Sequence, residues 1–376
     1  MKVLHMNAGA ETGGGKTHII SLLSQFPKDV VELAVFEEGA IASEARALGI
    51  KVHVFSQSSR YDISILSKIR SFINKEGFDI VHTHGARANF YLSLLKRKIK
   101  AKWVTTIHSD PTLDFMTSGL KGWIFTKLNL RSFKKVDLFF AITERFKMNT
   151  VTLGVPEEKI CTIYNGIEYD HTPAKPYDLK ENFDIQEDVF TAIQVARLHP
   201  VKGHEILFEA LQNTTIPKIK VLLLGDGPIE NELKETVKQK GLEDKVLFLG
   251  HREDAKNLYA AAHINLLTSY SESFPLVLLE GANQRLTSIA TDVGDMSQLI
   301  VDDTYGWIIP IGDAAALTRV LEEAYEKWKN GELVEMGERL YTHASSHFSL
   351  RNLYENTYGA YEKVLSGSNE YAKVRG

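Results

Sequence analysis

Two glutamates in the second half of the chain, Glu272 and Glu280, stand eight positions apart with a proline between them. Pro275 suits the first position of a helix, because its fixed φ fits there and its missing N–H is not needed. The residue before a proline avoids helical dihedral angles, so Phe274 is predicted to be the N-cap. The backbone N–H groups from Leu276 onward would then point out of a positive helix end and bind an anion. A phosphate between two carboxylates that bind hydroxyls fits a sugar nucleotide.

The spacing of the two glutamates carries little weight by itself, because a short motif of this kind arises readily by chance. Glu272 could be a solvated loop charge, and Glu280 an exposed residue of an ordinary helix. The interpretation therefore depends on the residues that accompany the pair.

Two cations follow a predicted strand in the same half of the chain. Arg197 and Lys202 come between that strand and a predicted helix. At the C-terminal end of a strand, two cations can neutralise a diphosphate leaving group. A turn beginning at Gly225 follows the next predicted strand and would reach the same edge of a sheet. The alternatives are ordinary surface charges and a plain turn.

A glycine loop connects the first predicted strand with the first predicted helix. Gly14 and Gly15 lie in it, before Lys16, and they let a ligand approach free backbone N–H groups. A Walker-type phosphate loop requires glycine where this chain has Ala10. We therefore favour a loop that faces a phosphate or a sugar in another way, with an ordinary turn as the alternative.

Three histidines end two predicted strands in the first half of the chain. His108 ends one strand, and His82 and His84 end another. Three imidazoles could bind zinc, but the carboxylate or cysteine at helix-type spacing that would complete such a motif is absent. An Asp-x-Asp triplet, the common means of holding a metal against a sugar diphosphate, is absent from the sequence as well. We expect no metal, and His108 either faces the substrate or makes structural hydrogen bonds.

Short β-type runs alternate with amphipathic helical stretches, and the pattern restarts after residue 185. Alternation of this kind implies parallel sheets with helices on both faces, and therefore an α/β fold with two doubly wound, Rossmann-like domains. Ligands of such domains bind at the C-terminal ends of the strands. The predicted strands are residues 3–6, 31–36, 52–55, 80–83, 103–107, 138–142, 189–195, 219–224, 246–249, 264–268, 288–291 and 307–309.

The domain boundaries follow from the point where the pattern restarts. We predict an N-terminal, acceptor-side domain at residues 1–170 and a nucleotide-sugar-binding domain at residues 171–350. Residues 169–188, with two prolines and many charges, are predicted to be the linker. A C-terminal helix at residues 351–376 is expected to cross back to the first domain.

The bulk properties exclude several classes of protein. A net charge of −4 without a visible binding module argues against nucleic acid as a partner. Apolar runs fall short of the roughly 20 residues that span a bilayer, and the N-terminus predicts a short strand rather than a signal peptide. The lone Cys161 excludes an intramolecular disulfide, favours a reducing compartment and is expected to be a buried structural thiol.

The small net charge conceals an asymmetry, because residues 1–170 carry +6 and residues 171–376 carry −10. The basic excess is concentrated in residues 91–150. Within it, residues 120–136 combine Trp123 with basic and apolar side chains in a pattern that can dock on anionic lipid. The alternative is an ordinary solvated helix face. Our hypothesis is reversible binding to a membrane surface that gives access to a lipid-linked acceptor.

Taken together, these residues resemble the retaining glycosyltransferases of family 4, whose GT-B fold has two Rossmann-like domains facing across a cleft. The resemblance covers almost the whole chain. Ser271, Ser273 and Asp295 depart from the commoner glycines of the family, which affects donor preference rather than the class of reaction. The matching pieces, in the family's order, are residues 13–15, 79–85, 105–108, 165–167, Arg197 with Lys202, residues 225–228, and Glu272 with Glu280.

The resemblance implies a role for each candidate residue. The two cations would bind the donor diphosphate, Glu280 the ribose, and Glu272 the donor sugar, while His108 would lie beside the reacting sugar. The residues implied to carry the chemistry are His108, Glu272, Arg197 and Lys202, and those implied to bind the donor are Gly14, Gly15, Arg197, Lys202, Gly225, Phe274, Pro275, Leu276 and Glu280.

The implied activity is transfer of a hexose or N-acetylhexosamine from a nucleotide-diphosphate sugar, with a UDP sugar as the expected donor. The acceptor would be a hydroxyl of a glycan or a lipid-linked molecule, and the anomeric configuration would be retained without a metal or cofactor. We expect a cytoplasmic enzyme of polysaccharide or cell-envelope biosynthesis that works at the inner face of the cell membrane. The alternatives are a sugar-nucleotide epimerase or hydrolase of the same fold and, less favoured, a P-loop-like nucleotide-binding protein.

Overall fold

The chain folds into two α/β units, and its last helix belongs to the first of them. The structure, a computed structural model, describes residues 1–11, 13–57, 62–108 and 127–367. The first unit comprises residues 1–166 together with the chain from Leu350 onward, and the second comprises residues 167–349. Each unit contains one parallel sheet, so the predicted α/β fold class with two Rossmann-like domains is confirmed.

The sheet of the first unit has seven strands in the order β3-β2-β1-β4-β5-β6-β7. The strands are β1 Val3–Asn7, β2 Val31–Val35, β3 Lys51–Val54, β4 Ile80–His84, β5 Lys102–Ile107, β6 Leu138–Ala141 and β7 Ile160–Thr162. The helices of this part of the chain include α1 Gly14–Gln25, α2 Ala40–Ala47, α3 Leu66–Glu76, α4 Ala86–Leu95 and α5 Glu144–Thr152.

The sheet of the second unit has six strands in the order β10-β9-β8-β11-β12-β13. The strands are β8 Phe190–Val195, β9 Ile219–Leu224, β10 Val246–Gly250, β11 Ile264–Leu267, β12 Ser288–Thr291 and β13 Gly306–Ile309. The helices are α6 Leu179–Phe183, α7 His204–Asn213, α8 Glu230–Gln239, α9 Ala255–Ala261, α10 Leu276–Asn283, α11 Ala314–Lys329 and α12 Glu332–His347. The final helix, α13 Leu350–Ser366, follows directly.

Strands at the centre of each sheet are buried on both faces, so apolar residues predominate in them. In β1, Val3 belongs to the core on one face of the sheet and Leu4 to the core on the other. Helix α13 covers the same face as Val3, because Leu353 and Tyr361 are buried in that core. The last helix is therefore part of the first unit's hydrophobic core.

The strand order of each sheet reverses once, between β1 and β4 in the first unit and between β8 and β11 in the second. Ligands of doubly wound sheets bind beyond the C-terminal ends of the strands at such a switch point. Ligands are therefore expected to bind at these two switch points.

The prediction of a linker at residues 169–188 is wrong, because this segment packs on the second unit. The backbone N–H of Asp170 donates to Asn283 Oδ1 at 2.8 Å, and that of Ala174 donates to Gln284 Oε1 at 2.6 Å. Tyr177 packs against a buried cluster of the second sheet. The change from one unit to the other falls at residues 166 and 167 instead.

Among the helices of the described residues, none combines the length and the apolar character that a membrane crossing requires.

Candidate functional site

The loops after β8, β9 and β11 lie side by side at one edge of the second sheet, because β8 pairs with both of the other strands. They carry most of the residues that the sequence singles out. The switch point between β8 and β11 thus collects charged groups from segments about 70 residues apart in the chain.

The loop that carries Arg197 rests directly on the turn after β9. Gly225 has a φ of +127°, and a Cβ on it would lie 2.1 Å from the carbonyl oxygen of Ala196. The N–H of Leu198 donates to the carbonyl of Asp226 at 2.7 Å. Only glycine allows this backbone-to-backbone contact. Arg197 itself is exposed, and its guanidinium has no ion-pair partner within the described ranges.

Lys202 and Glu272 form an ion pair at this edge. Lys202 Nζ lies 2.5 Å from Glu272 Oε1, and the hydroxyl of Ser269 donates to the same oxygen at 2.7 Å. The backbone carbonyl of Lys202 accepts the hydroxyl of Thr268 at 2.9 Å, which ties this loop to the end of β11. The lysine and glutamate side chains are 22% and 13% exposed. The pair is therefore fixed from both sides and still reachable by a ligand.

Helix α10 begins one residue later than the sequence predicts. Pro275, with a ψ of 116°, is the N-cap rather than the first helical residue, and Leu276 is the first helical residue. The predicted N-cap, Phe274, is buried, and its ring packs on Phe348 at 4.9 Å between centroids. The first N–H that bonds back to the turn is that of Leu278, to the carbonyl of Pro275. With the helix starting at Leu276, the N–H groups of Leu276 and Val277 still lie at the helix tip, as predicted.

The helix tip is held in place by side chains below it. Asn265 of β11 and Tyr259 both donate to the carbonyl oxygen of Val277 at 3.1 Å. A Cβ on Gly281 would lie 2.5 Å from Asn265 Nδ2, so the helix approaches the strand as closely as glycine permits. Glu280 precedes Gly281 on the same helix and is exposed at the surface, and desolvation by surrounding protein atoms raises the pKa of its carboxyl.

The glycine loop of the first unit is open at the predicted position. Gly13 is the N-cap of α1 with a φ of +73°, and a Cβ on Gly14 would meet no described atom within 4 Å. A Cβ on Gly15 would lie 3.2 Å from a carboxylate oxygen of Glu11. Lys16 points away from the loop, with Nζ 2.5 Å from Glu44 of α2. A Walker-type loop directs its lysine to phosphates, so this arrangement disfavours the P-loop alternative.

Histidines gather at the switch point of the first sheet. His5 of β1 lies opposite His82 of β4, and His84 follows two residues later on the same face. The hydrogen-bonding nitrogen atoms connect the rings: His5 Nδ1 lies 3.0 Å from His84 Nε2, and His84 Nδ1 lies 3.1 Å from His108 Nε2. His108 therefore continues a row of imidazoles that starts on the central strand.

Two further side chains from helices complete this histidine cluster. His18 of α1 places its ring 4.9 Å from that of His108 and bonds Asn165 through Nδ1 at 2.7 Å. The hydroxyl of Tyr361 on α13 lies 2.5 Å from His82 Nδ1. Asn165 belongs to one of the segments on which the family resemblance rests.

The histidine cluster is electrically neutral at neutral pH. Burial lowers the pKa of His5 to about 3 and that of His18 to about 4. Burial likewise moves the pKa of His82, His84 and His108 well below the ordinary value of 6.5. The cluster therefore offers neutral hydrogen-bond donors and acceptors, whereas the edge of the second sheet offers charges.

Sequence reasoning named His82, His84 and His108 but missed His5, His18 and Tyr361. The sequence did contain a signal for His5. This residue lies within the first predicted strand, and in a doubly wound sheet that strand is central, where it pairs with the strand that carries His82. The pairing of Lys202 with Glu272 had no sequence signal. Cys161 lies in β7, where burial raises the pKa of its thiol to about 11 and makes it an inert side chain.

The basic segment at residues 120–136 is only partly described. Trp123 lies outside the described residues, while residues 127–133 are helical and Phe133 is buried in the core. Lys135 Nζ donates to the carbonyl of Ser93 at 2.8 Å, so one of its cations is bound to the unit itself.

Comparison with known proteins gives consistent matches over both units. The model of Glycosyltransferase Family 4 matches residues 12–171, and that of Glycosyl transferases group 1 matches residues 178–343. The N-acetyl-alpha-D-glucosaminyl L-malate synthase of Bacillus anthracis is 30% identical over 74% of this chain and 73% of its own length. The UDP-Gal:alpha-D-GlcNAc-diphosphoundecaprenol alpha-1,3-galactosyltransferase of Escherichia coli is 26% identical over 70% of this chain and 71% of its own.

The likeness extends to solved structures. Alr3699/HepE of Anabaena, crystallised in complex with UDP, superposes with a TM-score of 0.85 at 20% identity, covering 96% of this chain and 100% of that one. At this level of identity the match establishes the fold.

Proposed function

The chain belongs to the group 1 glycosyltransferases, and from this premise we propose that it transfers a hexose or N-acetylhexosamine from a UDP sugar to a hydroxyl acceptor. Transfer retains the anomeric configuration and needs no metal. The observation that carries the proposal is the convergence of Arg197, the Lys202–Glu272 pair and the tip of α10 at one switch point. An epimerase or hydrolase would not use an acceptor, and no relative named above points to such an activity.

The donor diphosphate is the group that this charged edge fits best. Departure of the leaving group builds negative charge on the diphosphate, and fixed positive groups lower the energy of that state. Arg197 supplies an unpaired guanidinium, and the first N–H groups of α10 add the positive end of a helix. Together they take the place that a divalent cation has in other transferases.

Lys202 and Glu272 change partners in this proposal. In the ligand-free chain the two side chains neutralise each other. A diphosphate carries more charge than a carboxylate, so it draws the lysine toward itself and releases Glu272 to accept hydrogen bonds from the donor sugar. Glu272 thereby acts as a hydroxyl acceptor only when the donor is in place. Glu280, exposed on α10, binds the ribose hydroxyls.

The first unit supplies neutral groups to the sugar in this proposal. Gly14 is open to close approach of a ligand to the backbone. His108 is uncharged, so it can hydrogen-bond sugar hydroxyls without placing a positive charge beside the forming oxocarbenium ion. Neutral contacts of this kind select the sugar.

The proposal for the acceptor is based on the names of the relatives. The enzyme of Escherichia coli carries a diphosphoundecaprenol acceptor in its name, and that of Bacillus anthracis carries L-malate, a small hydroxy acid. We propose a lipid-linked or glycan acceptor, with residues 120–136 docking on anionic membrane at the cytoplasmic face. Sedimentation with liposomes tests the docking: equal amounts in the supernatant with neutral and anionic lipid at low salt would contradict it. L-malate is the second acceptor to test.

A panel of nucleotide sugars tests the function. Thermal shift with UDP-glucose, UDP-galactose and UDP-N-acetylglucosamine should reveal one donor that raises the melting temperature above the effect of ATP or GTP. Incubation of that donor with acceptors, in the presence of EDTA, should give a product with the donor's anomeric configuration by NMR. Release of free sugar or an isomer without transfer would favour the hydrolase or epimerase alternative, and stabilisation by ATP or GTP alone would favour a nucleotide switch.

A further inference from the structure

Hydrogen bonds connect His108 to the C-terminal helix through two intervening histidines. His108 bonds His84, and His84 bonds His5, at the N···N distances of 3.1 and 3.0 Å given above. His5 Nε2 lies 3.4 Å from the hydroxyl of Tyr361. That hydroxyl also contacts His82 Nδ1 at 2.5 Å. The row His108–His84–His5–Tyr361–His82 is called the imidazole chain below.

The imidazole chain fits hydrogen bonding better than metal binding. Nitrogen atoms of His18, His84 and His108 lie within 4.8 Å of one another, which a metal could bridge. However, both nitrogens of His84 already make contacts of hydrogen-bond length. In the part of the chain that the structure describes, these ligand groups contain no carboxylate or cysteine, so a divalent cation would bring uncompensated charge into a buried site.

The direction of one hydrogen bond fixes the direction of all the others. A neutral imidazole carries its proton on one nitrogen and accepts on the other, so each ring passes the direction on to the next. Tyr361 has one hydroxyl proton and two imidazole neighbours. Because its oxygen is 2.5 Å from His82 but 3.4 Å from His5, the proton belongs to the bond with His82.

The remaining protons follow from this assignment. His82 Nε2–H donates to the hydroxyl oxygen of Thr106 at 2.7 Å. His5 Nε2–H donates to the Tyr361 oxygen, and His84 Nε2–H donates to His5 Nδ1. His108 Nε2–H then donates to His84 Nδ1, which leaves His108 Nδ1 without a proton.

We propose that His84 is a positioning residue, which together with His5 and Tyr361 holds His108 in the tautomer whose bare Nδ1 accepts a hydroxyl proton of the donor sugar. This inference rests on the proposed function, in which His108 lies beside the reacting sugar. Nδ1 of His108 bonds no atom of residues 1–11, 13–57, 62–108 or 127–367. The opposite tautomer would present an N–H to the sugar and repel the hydroxyl hydrogen that the first one binds.

Tyr361→Phe tests the proposal with little change of shape. In this variant His5 Nε2 faces a phenyl ring, and a buried N–H without a partner is more costly there than a bare nitrogen. The chain should reverse, so that His108 carries its proton on Nδ1. We expect kcat to fall about fivefold, the equivalent of roughly one hydrogen bond, with the donor KM changed less than twofold. Tyr358→Phe, on the same helix but outside the imidazole chain, is the matched control.

Nitrogen-15 NMR of histidine-labelled full-length protein reads the tautomer directly and without activity. The expected result is His108 with a bare Nδ1 in the wild type and a protonated Nδ1 in Tyr361→Phe, with Tyr358→Phe like the wild type. A protonated Nδ1 in the wild type, or the same tautomer in both proteins, would overturn the proposal. So would binding of one equivalent of Co²⁺ with a tetrahedral absorption spectrum that is lost in His84→Gln.

Kinetics separate this inference from the proposed function. If the tautomer reverses while kcat stays unchanged, the positioning role is wrong and the transferase activity stands. If the wild type transfers no sugar, the proposed function fails, and NMR still decides whether the imidazole chain is directed as described. In a His84→Gln background, adding Tyr361→Phe should lower kcat no further, because the chain is already cut between the two residues.

Discussion

The two units share a topology but carry opposite chemistry at their switch points. Beyond β8 and β11 the second sheet gathers an exposed arginine and a lysine–glutamate pair. At the switch point of β1 and β4 the first unit gathers five imidazoles, four of them buried and that of His108 partly buried, all held neutral by desolvation. The same strand order therefore carries charged groups at the switch point of one unit and neutral hydrogen-bonding groups at that of the other. The fold fixes where a ligand binds, and a few side chains decide which ligand it is.

Acid should affect the stability of the two units to different extents, because it acts on the histidines. Burial lowers the pKa of His5 to about 3 and of His18 to about 4, and in the second unit it lowers the pKa of His204 and of His263 to about 4. The unfolded chain takes up these protons below about pH 6.5 while the folded chain does not, so stability falls as the pH falls. Each buried histidine costs about 1.4 kcal/mol per pH unit in that range.

Among the described residues, burial lowers the pKa of five histidines in the first unit and of three in the second, His204, His263 and His343, so the first should lose stability faster between pH 6 and pH 4. Hydrogen exchange with mass spectrometry resolves the two units in one experiment. Equal loss of protection in both would contradict the contrast between a neutral and a charged switch point.

Removal of the exposed cation should have the largest effect on catalysis. Arg197→Ala takes away a charge that the departing diphosphate meets, and we expect kcat/KM to fall about 100-fold, as for a lost oxyanion donor. Arg339→Ala is the control, because this arginine lies on α12 in an exposed pair with Glu335. A decrease below threefold in Arg197→Ala would show that the diphosphate binds elsewhere.

Substitution of the two glutamates should change different quantities, turnover for Glu272 and donor binding for Glu280. Glu272→Ala is expected to lower kcat about tenfold with a smaller change in donor affinity, because Glu272 reaches the sugar only after Lys202 turns to the diphosphate. Glu280→Ala should chiefly weaken donor binding, by about tenfold, since the ribose does not change during the reaction. Steady-state kinetics and calorimetry with UDP measure the two quantities. Unchanged kinetics in both variants would remove the site assignment.

The smallest effect is expected for the lysine of the glycine loop. Lys16 is paired with Glu44, so Lys16→Ala should change the donor Kd by less than twofold. A Walker-type lysine would instead be indispensable for nucleotide binding. A tenfold loss of donor affinity would restore a phosphate-binding role for this side chain.

Most of the fold could be predicted because most of its strands are buried on both faces and are therefore rich in apolar residues. Strand β7 was missed, since three residues at the edge of a sheet are too short to show a period. Helix α3 begins at Leu66, although the apolar residues at helical spacing already start at Ile63, which is 60% exposed. The first turn of a helix packs on little, so hydrophobic spacing does not determine where it starts.

The site residues could be predicted only where residues that are close together in space are also close together in the sequence. Arg197 and Lys202 flank one loop, and Glu272 lies close to the start of α10, so local sequence shows both. The Lys202–Glu272 pair spans 70 residues, and the contact of His82 with Tyr361 spans 279. Long-range contacts of this kind depend on strand order and on where α13 packs, which no local pattern encodes.

In the proposed mechanism, fixed positive groups of the second unit meet the donor diphosphate, and a crystal structure with bound UDP would show whether they do. We expect phosphate oxygens within hydrogen-bond distance of the Arg197 guanidinium, Lys202 Nζ and the N–H of Leu276, with Lys202 released from Glu272. A diphosphate bound away from the tip of α10, with Lys202 still paired to Glu272, would contradict it.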